Sequence, residues 1–279
     1  MISCYENENV SLYLSNLHVI SQQKTTKQSV ELFEHEQLGK VLVIDDEIQH
    51  VERWAPLYHE SIVHIPMMFL SAPETALILG GGDLYAAYEL LKYPSLKRIV
   101  ICDHDPEVIN LTHKYYIHGT KVCESTRVEF VFMDVFDYLN SCGEQFDIII
   151  NDCFNSAVVY EKRPHILTQI SNSLSRQGVC SDLVYRHLFD APTLQKTRSQ
   201  LAPIANKAFS LVYVPEYPGI LHLLAMWGKS EMISQQVTQS SNLYHTAEEF
   251  HKLKCQLFDP RFCTFYLFLP PYIAKELEV

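Results

Sequence analysis

The sequence predicts an α/β protein in which a parallel sheet, with helices on both faces, follows a small antiparallel β unit. From residue 75 onward, short apolar runs alternate with segments of helical spacing, a pattern typical of parallel sheets. Residues 1 to about 50 instead alternate polar and apolar residues at period two, as in SVELF, with turns between the runs. Several of the later apolar runs end in glycine or aspartate. The strand ends are therefore where a site should be sought.

The individual elements follow in order along the chain. Residues 54–70 have helical spacing. The strands expected after them are TALILGGG, KRIVICD, RVEFVFMD, FDIIIND and GVCSDLVY, with AFSLVYVP and ILHLLAMWG as a closing hairpin. The helices expected between them are DLYAAYELLKYP, PEVINLTHKYY and RPHILTQISNSLSRQG, the last ending at Gly178. We expect an N-terminal β-strand domain at residues 1–53 and a larger domain with the parallel sheet at residues 54–279.

The composition disfavours several classes of protein. A net charge of −11 over 279 residues argues against nucleic-acid binding, which depends on clustered Lys and Arg, and suits a cationic small molecule. The eight cysteines form no CxxC pair and show no spacing typical of zinc, so we expect no metal and a reducing compartment. Neither a signal peptide nor an apolar run of about 20 residues is visible. The prediction is a cytoplasmic protein without a membrane segment.

A glycine-rich turn follows the first strand of the parallel sheet. Residues 80–82 are all glycine and precede a helix, where bare backbone N–H groups can approach a ligand. Tyr85 stands where a dinucleotide fingerprint has its third glycine, which disfavours NAD. Asp103 ends the next strand, where a carboxylate can accept both hydroxyls of a ribose. Since Asp83 would repel a phosphate, the turn suits a positively charged nucleoside without phosphates, such as an S-adenosyl compound.

Two further aspartates end other strands of the same sheet. Asp134 follows VEFVFM, where an adenine amino group is usually read, and Asp152 ends FDIIIND. Ligands of open α/β sheets lie at the carboxyl ends of the strands, so both residues should converge on one crevice with Asp83 and Asp103. Like charges this close cost energy unless a cation is bound. The crevice is therefore expected to take a cationic substrate.

Several ordered motifs resemble those of a known family. GKVLVIDDEIQHVER is similar to the family's GKVLVLDGxIQxTER, Tyr58-His59-Glu60 to its YHE, and LILGGGD to its IIGGGDG. CDHDPEVI is similar to CEIDxxVI, and VPEYPG to xPTYPSG. Over most of its length the chain thus resembles the polyamine aminopropyltransferases. The resemblance implies a Rossmann-like, methyltransferase-type sheet with a small N-terminal antiparallel β domain, and a homodimer formed through that domain.

The resemblance also implies a reaction and a set of residues. The family donor is decarboxylated S-adenosylmethionine; a small-molecule amine attacks its aminopropyl carbon and methylthioadenosine leaves. The residues implied for the donor are Gln28, His59, Gly80, Gly82, Asp83, Asp103, Asp134 and Val135, the last in place of a family glycine. Asp152 would accept the proton of the amine, with Tyr58 beside it and Tyr217 in the acceptor channel. The ammonium form of a primary amine has a pKa of roughly 10, so freeing its lone pair at neutral pH costs about 4 kcal/mol, which a neighbouring carboxylate can offset by accepting the proton.

The stretch after Asp152 departs from the family pattern. The family's DSSDPxGP reads DCFNSAVV here, so the second aspartate, which helps to bind the incoming diamine, is Asn155. Glu216 replaces a small polar residue of the family motif and is a candidate for a compensating acid.

A second departure lies after Gly178. The glutamine and acidic residues of the family fall at Leu183 and Tyr185, unless a one-residue slip places Asp182 there. Together these changes predict that the donor half of the site is kept and the acceptor half is rebuilt, so that the acceptor need not be putrescine.

Three hypotheses remain open at this point. The first is an aminopropyltransferase that uses decarboxylated S-adenosylmethionine. The second is a relative that uses S-adenosylmethionine itself and transfers a methyl or aminocarboxypropyl group, which would require a cation or backbone N–H near Asp83 for the extra carboxylate. The third is a catalytically idle homologue that binds a nucleoside; the presence of Asp152 and Tyr58 speaks against it.

Overall fold

The structure is a computed structural model and describes residues 2–7, 10–153, 163–185, 191–218, 222–233 and 252–279. The N-terminal part forms two antiparallel sheets. A two-stranded sheet pairs β1 (Ile2–Asn7) with β2 (Val10–Leu14). A four-stranded sheet follows in sequential order, with β3 (His18–Lys24), β4 (Ser29–His35), β5 (Gly39–Ile44) and β6 (Glu47–Val51). The expected small antiparallel β unit is confirmed.

The central sheet has seven strands. They are β7 (Thr75–Gly80), β8 (Arg98–Asp103), β9 (Val128–Phe132), β10 (Phe146–Asp152), β11 (Leu174–Tyr185), β12 (Asn206–Val212) and β13 (His222–Gly228). Their spatial order is β12-β13-β11-β10-β7-β8-β9. Strands β7 to β11 are mutually parallel, and β13 is antiparallel to both neighbours. This is the Rossmann-like sheet that the alternating pattern predicted, with the expected hairpin β12–β13 at one edge.

Helices cover both faces of this sheet. They are α1 (Ala55–Met67), α2 (Tyr85–Leu90), α3 (Pro106–Tyr115), α4 (Ile117–Cys123), α5 (Val135–Ser141), α6 (Arg163–Ser173), α7 (Ala191–Leu201), α8 (Cys263–Tyr266) and α9 (Pro271–Leu277). Leu77 and Ile78, which are consecutive in β7, enter different apolar clusters. Because successive side chains of a strand point to opposite faces, both faces are buried, as predicted.

One predicted boundary is wrong. The helix expected to reach Gly178 ends at Ser173, and β11 begins at Leu174. Leu174 pairs with Phe146 of β10, and the Ser175 hydroxyl donates to Asp147 Oδ1 at 2.8 Å. Pairing with the neighbouring strand therefore outweighs the helical spacing of this stretch. Within the described residues, none of the helices has the length and apolar character of a transmembrane segment.

Candidate active site

A cavity of about 650 Å³ opens at the carboxyl ends of β7, β8 and β10. Its wall contains the residues implied for the donor, namely Gln28, His59, Gly80, Gly82, Asp83, Asp103, Asp134 and Val135. It also contains Tyr58, Asp152, Glu216 and Tyr217. The structure thus brings together every proposed site residue that it describes. Asn155 lies outside the described residues.

The glycine turn owes its shape to backbone angles that side chains disfavour. Gly80 and Gly81 have φ of 81° and 77°, in the left-handed region where a Cβ is strained. A Cβ on Gly80 would also lie 2.9 Å from the main-chain oxygen of Asp152. Gly80 and Asp152 are paired residues of the parallel strands β7 and β10. The turn and the candidate proton acceptor are therefore neighbours through the sheet itself.

Asp103, the residue predicted to bind a ribose, lines the cavity next to the glycine turn. Its Oδ1 accepts a hydrogen bond from the Asp105 N–H at 2.8 Å, and burial raises its pKa. Asp105 in turn accepts from the Thr25 hydroxyl at 2.7 Å, and Thr25 closes a turn with Gln28 through N–H and hydroxyl contacts of 2.9–3.2 Å. The N-terminal sheet thereby holds Gln28 against the same wall of the cavity as Asp103.

Asp83 is enclosed by histidines. His50 Nδ1 and His59 Nε2 lie 2.7 Å and 2.9 Å from its Oδ2, and His118 Nε2 lies 2.8 Å from its main-chain oxygen. Oδ1 accepts from the Tyr85 N–H at 3.0 Å. The expectation that Asp83 stands at the mouth of the turn agrees with this position. Its acceptor atoms, however, already have protein partners.

The protonation of this cluster follows from burial and from the Asp83 charge. Burial by itself lowers the pKa of His59, but the charge of Asp83 and its hydrogen bond outweigh burial and raise the pKa to about 9. Burial opposes ionisation of Asp83, yet the two histidines hold its pKa well below the usual range. Burial, aided by the charge of His50, lowers the pKa of His118 to about 4. At neutral pH, Asp83 and His59 therefore form a buried ion pair.

Tyr58 and Asp152 form the second polar centre of the cavity. The Tyr58 hydroxyl donates to Asp152 Oδ1 at 2.6 Å. Burial, and next the charge of Asp83, raise the pKa of Asp152 to about 7, although His59 and the Tyr58 hydrogen bond oppose the shift. Burial and the Asp152 charge keep the pKa of Tyr58 well above its usual value, so Tyr58 remains a donor. A carboxyl group with a pKa near neutrality is suited to proton transfer.

Asp134, the residue predicted to lie near an adenine, is less buried than Asp83 and Asp152. Asp134 caps α5 by accepting from the Phe136 N–H at 2.8 Å. Asp134 is exposed and Val135 is half-buried, and both line the cavity. An aspartate at a strand end that caps the next helix is common in any α/β protein, so the structure leaves the adenine role of Asp134 as a prediction.

The residues that depart from the family pattern differ in whether they line the cavity. Leu183 lines the cavity, whereas Asp182 is fully buried and accepts from Asn151 Nδ2 at 2.9 Å. The one-residue slip that would put Asp182 in the site is therefore wrong. Glu216 and Tyr217 are both buried in the wall, and burial raises the pKa of Glu216. The cavity wall therefore contains the carboxyl group of Glu216 and the apolar side chain of Leu183.

Sequence reasoning missed two of the histidines around Asp83. His50 lies in the quoted GKVLVIDDEIQHVER motif, immediately after Gln49, and lines the cavity with it. His118 follows a helix break at Tyr116, between α3 and α4. Alternation in β6 could have indicated that His50 faces inward. No local signal could have placed His118 beside Asp83, because that contact joins residues 35 positions apart.

The fold is Rossmann-like and has a polar cavity at the carboxyl ends of its strands, where enzymes of this architecture bind their substrates. The family model described as the spermine/spermidine synthase domain matches residues 55–240. A polyamine aminopropyltransferase of Archaeoglobus fulgidus is 34% identical over 258 residues, covering 90% of this chain and 89% of its own. The chain belongs to the spermine/spermidine synthase family, and it is a transferase.

Solved structures agree on the fold. Spermidine synthase from Thermotoga maritima superimposes with a TM-score of 0.85 at 22% identity, covering 99% of this chain and 92% of that one. A spermidine synthase in complex with the transition-state analogue AdoDATO gives a TM-score of 0.83 at 23% identity, covering 97% and 91%. At these identities the similarity concerns the fold.

Proposed function

We propose that the chain is an aminopropyltransferase that moves an aminopropyl group from decarboxylated S-adenosylmethionine to a small-molecule amine. The observation that carries the proposal is the Tyr58–Asp152 pair, which lies in the same cavity as the glycine turn and Asp103. A turn suited to a nucleoside and a carboxyl group suited to accept a proton therefore lie side by side in one cavity. The spermidine synthase that binds AdoDATO has the same fold, which supports this choice of donor.

The reaction is a single displacement. The lone pair of the amine nitrogen attacks the aminopropyl carbon next to the sulfonium, a C–N bond forms and the C–S bond breaks. The electron pair of that bond neutralises the sulfonium, so methylthioadenosine leaves uncharged. The nitrogen gives up a proton, which Asp152 accepts while Tyr58 orients the carboxylate. Holding nitrogen, carbon and sulfur in line accounts for much of the remaining acceleration.

The cavity favours the decarboxylated donor over S-adenosylmethionine. Among the described residues of the cavity wall there is no Lys or Arg to pair with a second carboxylate. His59 is the nearest cationic group, but its ring nitrogens already contact Asp83 Oδ2 and the Ala55 main-chain oxygen, at 2.9 Å each. A donor with an extra carboxylate would have to break one of these contacts.

The acceptor half supports an amine other than a simple diamine. Leu183 presents an apolar surface where the family pattern has a glutamine, and Asp182 is turned into the core towards Asn151. Glu216 supplies a different carboxyl group in the same wall. We infer an acceptor whose second charge is held at Glu216 or is absent. We further propose that the enzyme acts in the cytoplasm and that it forms a homodimer. Light scattering of the purified protein would measure its mass in solution and so check the homodimer.

The decisive experiment incubates the protein with either donor and a panel of amines that includes putrescine. Methylthioadenosine and S-adenosylhomocysteine are then separated by chromatography. The proposal expects methylthioadenosine from the decarboxylated donor and at least one amine. S-adenosylhomocysteine would indicate methyl transfer, and methylthioadenosine from S-adenosylmethionine would indicate aminocarboxypropyl transfer. Absence of both products with every amine would refute the proposal in favour of an idle homologue.

Putrescine binding separately tests the altered acceptor half. Calorimetry with putrescine in the presence of methylthioadenosine should show weak binding or none. Tight binding of putrescine would contradict the inference from Leu183 and Asp182 while leaving aminopropyl transfer intact.

A further inference from the structure

Two imidazoles and one carboxylate meet at the inner end of the cavity. His50 Nδ1 and His59 Nε2 both point at Asp83 Oδ2, at 2.7 Å and 2.9 Å, and the three atoms lie within 4.8 Å of one another. His50 comes from β6, His59 from α1 and Asp83 from the glycine turn. The two histidine side chains are almost fully buried, and that of Asp83 is 12% exposed towards the cavity.

These distances suit a shared metal ion. Zinc binds imidazole nitrogen and carboxylate oxygen at about 2.0–2.2 Å, so neighbouring ligand atoms on one ion lie about 3 Å apart. The two contacts with Asp83 have nearly this length. Two histidines and one carboxylate on one side of an ion, with positions left open, form a known transition-metal arrangement. Here the open positions would face the cavity.

Two of the three ligands have partners arranged as around bound metals, whereas His50 Nε2 is buried with no hydrogen-bond partner among the described residues. A ligating histidine usually donates its other ring N–H to a carbonyl or carboxylate. His59 Nδ1 does so to the Ala55 main-chain oxygen at 2.9 Å. The other carboxylate oxygen of Asp83, Oδ1, accepts a hydrogen bond from the Tyr85 N–H at 3.0 Å. Both ligands are therefore already fixed in orientation before any ion arrives.

The surrounding charges favour a cation. Asp152 and Glu216 line the same cavity, whose described wall contains no Lys or Arg. The remaining histidine of the cluster, His118, contacts the main-chain oxygen of Asp83 rather than its carboxylate. His118 is thus a neighbour of the three ligands rather than a fourth.

We propose that His50 Nδ1, His59 Nε2 and Asp83 Oδ2 bind a divalent transition-metal ion such as Zn²⁺, with its remaining positions open to the cavity. The ion is not a cofactor of the transfer. It sits where, if the proposed function holds, the aminopropyl end of the donor lies, so it blocks the donor. The absence of a metal motif from the sequence has a simple reason: residues 50, 59 and 83 show none of the short spacings typical of zinc sites.

A second cluster of three possible metal ligands lies elsewhere in the described part of the chain and serves for comparison. His64, Glu89 and Cys255 also lie within 4.8 Å of one another, but the Lys92 ammonium is 2.5 Å from Glu89 Oε2. The Lys92 ammonium already pairs with that carboxylate, whereas the cation beside Asp83 is the His59 imidazolium. His59 would release its proton on binding an ion, because a ligating imidazole is neutral. This second cluster therefore serves as an internal control.

The test is a titration of the chelator-treated, full-length protein with Co²⁺, followed by visible absorption and calorimetry, and repeated with Zn²⁺. We expect one equivalent to bind with the absorption of nitrogen and oxygen ligands. Loss of a group that merely orients a ligand costs about 10- to 100-fold in affinity, so His50→Gln and His59→Gln should each weaken binding by about 100-fold or more. His118→Gln is the matched control and should change affinity by less than about 10-fold.

Several results would overturn the site. They are no binding below millimolar Co²⁺, binding unchanged in both His50→Gln and His59→Gln, or a sulfur charge-transfer band that disappears in Cys255→Ser. The last would place the ion in the second cluster. Circular dichroism checks that each variant is folded, and Asp83→Asn is the replacement if a histidine variant is not.

A competition experiment separates this inference from the proposed function. Decarboxylated S-adenosylmethionine should displace Co²⁺, whereas methylthioadenosine, which lacks the aminopropyl arm, should leave it bound. Co²⁺ that binds through His50 but resists the donor supports the metal site and contradicts the proposed donor orientation. Turnover of the donor without any Co²⁺ binding would support the proposed function and overturn the metal site.

Discussion

The Tyr58 hydroxyl lies 2.6 Å from Asp152 Oδ1, although the two residues are 94 positions apart in the chain. One comes from helix α1 and the other from the end of strand β10. The contact orients a carboxyl group whose pKa is raised to about 7, chiefly by burial. The proposed chemistry depends on this pair more than on any other contact in the cavity.

Replacing Asp152 by asparagine should abolish most of the activity. The amide keeps the shape of the side chain but cannot accept a proton, and a positioned general base contributes typically 10²- to 10⁴-fold. We expect kcat to fall by roughly that factor while methylthioadenosine binding, measured by calorimetry, changes by less than about threefold. A variant that retains wild-type kcat would remove Asp152 from the mechanism.

The pH dependence should follow the ionisation of Asp152. The carboxyl group accepts a proton only when ionised, so kcat/KM should fall as pH drops below about 7 and level off above it. The acceptor amine itself titrates near pH 10, well separated from this inflection. Initial rates between pH 5.5 and 8.5, with a chelator present, would show whether the inflection exists.

Tyr58→Phe should move that inflection upward. The Tyr58 hydrogen bond lowers the pKa of Asp152, and a bond to a charged group is worth about 1.5–3 kcal/mol. Its loss should raise the pKa of Asp152 by about one to two units. Tyr217→Phe is the matched control, since the Tyr217 hydroxyl donates to the Ile48 main-chain oxygen at 3.4 Å; its inflection should stay in place. Equal profiles for both variants would contradict the role of Tyr58.

Gly82→Ala should weaken nucleoside binding through Asp103. An added Cβ would lie 3.1 Å from Asp103 Oδ2 and 3.0 Å from Val108 Cγ1, so the carboxylate must shift. Asp103→Asn removes its charge directly, a loss of about 1.5–3 kcal/mol for hydrogen bonds to ribose. Each variant should raise the Kd for methylthioadenosine by about 10-fold or more. Because both act on the same carboxylate, their effects should not add in the double variant.

Glu60→Gln should destabilise the protein. Glu60 is buried, and its carboxylate accepts hydrogen bonds from the backbone N–H groups of residues 256, 257 and 258 at 2.7–2.8 Å. An amide replaces one acceptor by a donor, so we expect a loss of about 3 kcal/mol in the free energy of unfolding, measured by urea denaturation. Glu74→Gln is the control: the Glu74 side chain is 57% exposed beside Lys97, and loss of its charge should cost about 1 kcal/mol or less.

The Tyr58-His59-Glu60 motif shows how far sequence reasoning reaches. The motif lies on a helix that lines the cavity, as expected, but its three residues make contacts in different places. Tyr58 meets Asp152, His59 meets Asp83, and Glu60 holds the C-terminal segment. Helical periodicity predicts only that these side chains leave the helix in different directions. What each one meets depends on segments that are remote in the chain.

The strand ends were the most predictable part of the site. Apolar runs that end in Asp103 and Asp152 are visible in the sequence, and a parallel sheet necessarily brings such ends to one edge. The acceptor side was less predictable, because an alternating strand reads equally well when shifted by one residue. Only the pairing of Asn151 with Asp182 shows that Leu183 faces the cavity.

The pairing of Gly80 with Asp152 has a consequence for changing the enzyme. These residues are held side by side by the backbone bonds of β7 and β10, at the fixed spacing of neighbouring strands, about 4.8 Å. The distance from the glycine turn to Asp152 is therefore independent of the other side chains that line the cavity. Leu183, Val214 and Glu216 can be varied together in a mutant library without redesigning the chemical step. Selection for growth on a new amine would then act on recognition alone.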